Sequence, residues 1–215
     1  MSELSPPQQE RSRKSLTAIS EATKRLLRTH TFAEITIAQI NNEAETSIGS
    51  FYARFKGKVA LLHHLHEELA EASKRDVDYF VSLKRDELLT PEEFADLWMP
   101  EAVKSHLEHR GILRAVMLEA FDDPQFGARA TDLIRHVSKA LANLIVNTSR
   151  TRAEHVGHVQ QSVGAVMTIL DREVLFLREG KSRKLSAEKV DWLKRIFVAS
   201  MTPASQSKAS KRQSA

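Results

Sequence analysis

Residues 36–62, TIAQINNEAETSIGSFYARFKGKVALL, decide how this chain is read. Thr36 offers an N-cap oxygen, and Ile37, Ile40 and Ala44 then fall on one stripe of a short helix. Glu45-Thr46 breaks the pattern. Ser47 caps a second short helix, in which Ile48, Phe51 and Phe55 share an inward face. Lys56-Gly57 ends it. Lys58 opens a longer helix that carries Val59, Leu62, Leu65, Leu69 and Ala72. Upstream, Leu16, Ile19, Ala22, Leu26 and Leu27 keep helical spacing over about residues 9–29.

Three close-packed helices, the last two joined by a sharp turn, form a helix-turn-helix frame. In such a frame one helix enters the major groove while its predecessor braces across the backbone. The entering helix needs small or polar groups outside and apolar ones behind. Ser47, Gly49 and Ser50 meet that need, and Tyr52 combines an apolar ring with a hydroxyl able to reach phosphate. Thr36 and Lys58 each stand at a helix start, where a hydroxyl or a point charge suits a phosphate oxygen. Arg11, Arg13 and Lys14 lie before or within the first helix, free to reach phosphate or the minor groove.

The charge supports the same direction. Net charge is +4 with a pI near 9.4, and the basic excess sits at the two ends around a slightly acidic middle, which suits a polyanion. Cysteine is absent, which excludes disulfides and thiol nucleophiles. The seven glycines are scattered and form no phosphate loop, so the chain does not read as an enzyme. No cofactor is expected. No signal peptide or long apolar run is apparent, so the expected location is cytoplasmic, with no membrane partner.

The expected fold class is all-α: an N-terminal three-helix DNA-binding domain, then a larger helical domain for ligand binding and dimerisation. The expected divisions are a loose arm over 1–8, the helix-turn-helix domain over 9–57, the larger domain over 58–202 and a disordered basic tail over 203–215. Thr90-Pro91-Glu92-Glu93 is a helix start, and Pro100 should kink or break the helix near Trp98-Met99. Phe94, Trp98, Met99, Met117 and Phe121 are candidate walls of an apolar pocket. Two late helices, over about 152–178 and 187–201, are candidates for a dimer interface. Val159, Val163, Val166, Leu170, Val174, Leu193 and Phe197 are the residues assigned to it. His63, His64 and His66 cluster, and His106/His109 and His155/His158 are spaced i, i+3. A metal-responsive reading is the alternative they raise, but a third ligand is not evident and no metal site is assigned.

The sequence resembles the TetR/AcrR family of bacterial repressors. Phe32, Thr36, Ile37, Ile40, Ala44, Ser47, Gly49, Phe51, Tyr52, Phe55, Lys58 and Leu61 carry the resemblance, over about the first 65 residues. It implies a homodimer whose recognition helices read half-sites of a palindromic double-stranded operator. It also implies phosphate contacts at Thr36, Tyr52 and Lys58, base contacts from residues 47–51, and release by a small-molecule effector. Asn41 stands where the family usually has alanine, Glu45 where it has glycine, and Thr46 where it has a valine-like residue. Those departures should disturb the turn. If they disable it, the chain is a helical interaction module with impaired DNA binding.

Overall fold

The structure is a computed structural model, and it describes residues 6–148, 156–177 and 184–201. Among them the regular elements are all helices. They are α1 (Pro6–Leu26), α2 (Ile37–Glu43), α3 (Ile48–Tyr52), α4 (Lys58–Lys84), α5 (Pro91–Glu108), α6 (Arg110–Glu119), α7 (Pro124–Thr148), α8 (Val156–Leu175) and α9 (Ala187–Ser200). None of these is long and apolar enough to cross a membrane. Of the expected arm over 1–8, residues 1–5 lie outside the described residues, and α1 already begins at Pro6, a residue suited to a first helical turn. The tail over 203–215 and His155 lie outside the described residues.

Two compact units divide the chain. The first joins Met1–Leu69 with Arg110–Gly127, and the second joins Ala70–His109 with Ala128–Ala215. This differs from a boundary at residue 57, for a reason visible in the core of the first unit. Ile19, Ile35, Ile40, Phe51 and Phe55 close around Leu61, Leu62, Leu65 and Leu69 of α4, and Ile112, Ala115, Val116 and Phe126 complete the same cluster. One longer helix and two short ones bury too little surface alone. The start of α4 and the α6 segment supply the missing apolar area. Gly111 lets α6 approach the end of α1 closely: a Cβ there would lie 2.8 Å from that of Leu27.

The core of the second unit is built around α5, α8 and α9. Phe197 stacks on Phe94 at 5.9 Å between ring centroids and lies 5.3 Å from Trp98. The Lys194 ammonium meets Asp96 at 2.7 Å, linking α9 to α5. Ser162 Oγ donates to the Ser200 carbonyl at 2.8 Å, linking α8 to the end of α9. Thr90 starts α5 with a complete capping box, as the sequence predicts. Pro100, however, does not end that helix, which runs on to Glu108. Pro100 and Asp96, whose carbonyl loses its helical partner, are both exposed, so water can satisfy that oxygen. Trp98, Met99 and Val103 on the opposite side are buried.

The assignment of a dimer surface needs correcting. Val159, Val163, Val166, Leu170, Val174, Leu193 and Phe197 all lie buried in the second unit's own core. A side chain already enclosed by its own protomer has no surface left to give a partner. The exposed stripe of α8 is instead Gly157, Gln161, Ala165, Thr168 and Arg172, with exposed Phe176 just beyond its end. The five proposed pocket residues also separate. Phe94, Trp98 and Met99 are in the second core, whereas Met117 and Phe121 belong to the first unit, where they are 44% and 83% exposed.

Candidate nucleic-acid interface

Thr36 caps α2 through a reciprocal box. Its hydroxyl accepts from the Gln39 backbone N–H at 3.1 Å, and the Gln39 side-chain oxygen accepts from the Thr36 N–H at 2.8 Å and from its hydroxyl at 2.9 Å. Both polar groups of Thr36 are thus engaged in starting the helix. They fix the pose of α2 whatever else they touch.

The turn between α2 and α3 is complete. Glu45 adopts a left-handed backbone with φ 53°. Its N–H donates to the Asn42 carbonyl at 3.2 Å, and the next N–H, of Thr46, reaches back to the Asn41 carbonyl at 2.9 Å. These two bonds form the Schellman arrangement that ends many helices, with glutamate where glycine is usual. The left-handed conformation costs a residue with a Cβ about 1 kcal/mol. Asn41 and Thr46 act together. Buried Asn41 donates to the Ile37 carbonyl and accepts the Thr46 hydroxyl, each at 2.9 Å. A polar clip thus replaces the apolar contact expected there. The expectation that Asn41 and Glu45 disturb the turn is corrected: every polar atom of the Asn41 side chain finds a partner within the motif.

Ser47 caps α3, accepting from the Ser50 N–H at 3.1 Å, and the two hydroxyls lie 3.0 Å apart. Phe51 is fully buried and anchors the helix, with Phe55 beside it at 5.6 Å between centroids. Ile48 does not share that inward face. It is 55% exposed, and Tyr52 is 57% exposed with its ring edge-on to Phe51. Gly49 lies between them, and a Cβ there would meet only Ser47 Oγ, at 3.7 Å. Nothing in the chain's own packing requires glycine at this position. Among the described residues the Tyr52 hydroxyl has no hydrogen bond.

The cations divide into two groups. Lys58 turns back from the start of α4 and donates to the carbonyls of Ile35 at 2.6 Å, Phe32 at 2.9 Å and Ala33 at 3.4 Å. Its ammonium also lies 4.9 Å from the centre of the Phe32 ring. Arg54 donates to the Ser12 carbonyl at 2.6 and 3.2 Å and to that of Ser50 at 3.1 Å, tying α3 to α1. Arg25 grips Glu43 at 2.6 Å and so holds the end of α2 against α1. Sequence reasoning missed these tethering roles of Arg54 and Arg25, since Ser12 and Glu43 lie far from them in the chain. Arg11, Arg13, Lys14, Arg28 and Lys56 are exposed as well, and of these Lys14 pairs with Glu10 at 2.7 Å on an exposed surface. In the loop before Thr36, the Thr31 N–H and hydroxyl both donate to Glu34, which holds that carboxyl below its usual pKa.

The histidines are held singly. His63 lies 2.7 Å from Asp123 and stacks on Phe126, His64 is 3.2 Å from Glu68, and His106 is 3.2 Å from Asp171. Among the described residues no group of three or more histidines and carboxylates is placed to hold a metal ion.

Residues 19–65 match the family described as bacterial regulatory proteins, tetR family. Among solved structures, the chain is similar to a candidate TetR-family transcriptional regulator from Mesorhizobium loti. That match has a TM-score of 0.68 and 16% identity, over 89% of this chain and 95% of that one. A candidate transcriptional regulator from Streptomyces coelicolor aligns with a TM-score of 0.60 and 18% identity, over 86% and 98% of the two chains. The TetR family repressor AlkX from a Dietzia species, implicated in biodegradation of n-alkanes, gives 0.50 and 12%, over 86% and 94%. At these identities the structures show the fold, while the matched segment carries the family signature. No curated protein matches the chain by sequence.

Proposed function

We propose that this chain, whose residues 19–65 match the tetR family of bacterial regulatory proteins, is a homodimeric repressor of the TetR/AcrR kind, released from a palindromic operator by a small, largely apolar molecule. Regulators of this family bind DNA, and repression is their typical action. The observation that carries the reading is the outer face of α3. Ile48, Gly49 and Tyr52 stand side by side there, unused by the chain's own packing, while buried Phe51 prevents the face from turning inward. An isoleucine on that face matches a thymine methyl, glycine admits close backbone approach, and the tyrosine hydroxyl reaches phosphate. Ser47 and Ser50 border the same surface. Arg11, Arg13 and Lys14 supply exposed positive charge on α1.

In a dimer, two such faces meet half-sites about 34–36 Å apart. An effector that prefers a conformation with a different spacing lowers DNA affinity, and DNA lowers effector affinity by the same factor. Phe94, Trp98 and Met99 are the apolar side chains proposed to meet that effector, and because all three are buried in the second core the effector must displace part of that packing to reach them. The site of action is the cytoplasm, with the chromosome.

Electrophoretic shift of DNA flanking the protein's own gene, at fixed salt, tests the proposal. A complex with two protomers per duplex is expected, and Tyr52→Phe should weaken it without altering the fold. If no flanking duplex is retarded even at low salt, the proposal fails and a helical interaction module takes its place.

A further inference from the structure

Resting on the DNA-binding reading above, we infer that Ile48 is a specificity-determining residue that selects a thymine in each half-site of the operator through its 5-methyl group. Neither α3 nor its two capping residues, Ser47 and Ala53, carry an arginine, lysine, asparagine or glutamine. Those are the side chains that read guanine or adenine by paired hydrogen bonds in the major groove. Arg54, next along the chain, is spent on the carbonyls of Ser12 and Ser50. Gln39 of α2 turns its amide oxygen to Thr36. What α3 offers instead is apolar. Ile48 is 55% exposed and Tyr52 57%, and a spacing of four makes them neighbours on one helix face.

Reach and chemistry together choose the base. Ser47, Ile48, Gly49 and Ser50 have short side chains or none, so only a helix seated close to the base edges brings them into contact. Gly49 permits that approach, since a Cβ there would meet nothing but Ser47 Oγ at 3.7 Å. Isoleucine has neither donor nor acceptor. Over guanine or cytosine it would cover N7, O6 or the N4 amino group, and displace their water without replacing the hydrogen bonds. Thymine alone among the four bases places a methyl group on the major-groove edge. Contact with Ile48 there removes two apolar groups from water at once, which is favourable. The same contact covers part of an isoleucine that the fold leaves in solvent.

Deoxyuridine provides the test, because it lacks only the 5-methyl group of thymidine. The probe is a duplex selected by the wild-type protein from a random-sequence pool, with each thymine of both half-sites exchanged in turn at fixed salt. At one position per half-site the exchange should weaken wild-type binding about fourfold, the worth of one buried methylene-sized group, and about fifteenfold when made in both half-sites. Cytosine at that position should bind about tenfold more weakly, and 5-methylcytosine should recover part of the loss. Ile48→Ser replaces an exposed side chain, so its circular dichroism should match that of the wild type, and it should bind thymine and deoxyuridine equally at that position. Ile48→Val keeps most of the apolar contact and should keep the preference, which covers the case in which the serine variant binds too weakly to titrate. A selected duplex in which no thymine responds to deoxyuridine overturns the inference. So does a methyl effect of the same size in Ile48→Ser, which would assign the contact to another residue, or its loss in Ile48→Val. Failure of the wild type to select any duplex removes the DNA-binding reading itself, and this inference with it.

Discussion

Helices α3 and α8 treat their apolar residues in opposite ways. The five-residue α3 buries one large side chain, Phe51, and leaves Ile48 and Tyr52 in water. The twenty-residue α8 buries Val159, Val163, Val166, Met167, Leu170 and Val174, and turns outward mostly small or polar groups. Hydrophobic character alone would name α8 as the interaction surface and α3 as a packing element. Burial reverses the ranking. The surface available to a partner is what the chain's own core has not used, and on α3 that remainder is both large and held rigidly by the phenylalanine beneath.

The largest expected effect lies on the α8 side. Leu170→Ala should cost about 2–5 kcal/mol in thermal or denaturant unfolding, as a cavity in a closed core does. Sedimentation of the folded fraction should show the wild-type assembly state. Dissociated subunits at an unchanged melting point would return Leu170 to the surface and break the contrast.

Two glycines sharpen it next. Gly111→Ala should lose about 1–3 kcal/mol by forcing α6 away from Leu27. Gly49→Ala meets no obstacle, so its stability should rise by up to about 1 kcal/mol. Its DNA affinity should nevertheless fall about tenfold, a difference of about 1.4 kcal/mol. An alanine at 49 that leaves DNA binding intact would mean that α3 does not approach the groove closely.

Glu45→Gly should stabilise the protein by about 1 kcal/mol, since glycine enters the left-handed region freely. Calorimetry reads that gain. A tighter DNA complex should accompany it, because a carboxylate is removed from the turn beside the proposed interface. Loss of stability would show that Glu45 makes a compensating interaction. Smallest of all, Tyr52→Phe should change the melting temperature little and weaken DNA binding by about 0.5–1.5 kcal/mol, the range for one hydrogen bond. A binding titration that matches wild type would place the hydroxyl away from phosphate.

Much of the first unit was legible from residue spacing. The caps at Thr36 and Ser47, and the inward Phe51 and Phe55, follow from rules that act within one or two turns of chain. Ile48 was misread because a five-residue helix gives too few positions to fix which way its stripe faces. The turn was misread for a different reason. Asn41 and Thr46 each look like a departure alone, yet they answer one another across the turn through a 2.9 Å bond. In the second unit, the spacing of Val159, Val163, Val166 and Leu170 announced a helix with an apolar stripe, but not which body that stripe would meet.

The sequence by itself determined an all-helical chain, the two short capped helices and a basic N-terminal segment. Those are local matters of periodicity, capping and charge. Tertiary structure alone decided which cations remain outside. Lys58 and Arg54 are held by carbonyls that lie 23 to 42 residues away in the chain, and no local pattern marks a backbone oxygen as the partner of a distant ammonium or guanidinium. It decided equally that α8 spends its valines on its own protomer, since burial depends on what else the folded chain brings to the same face.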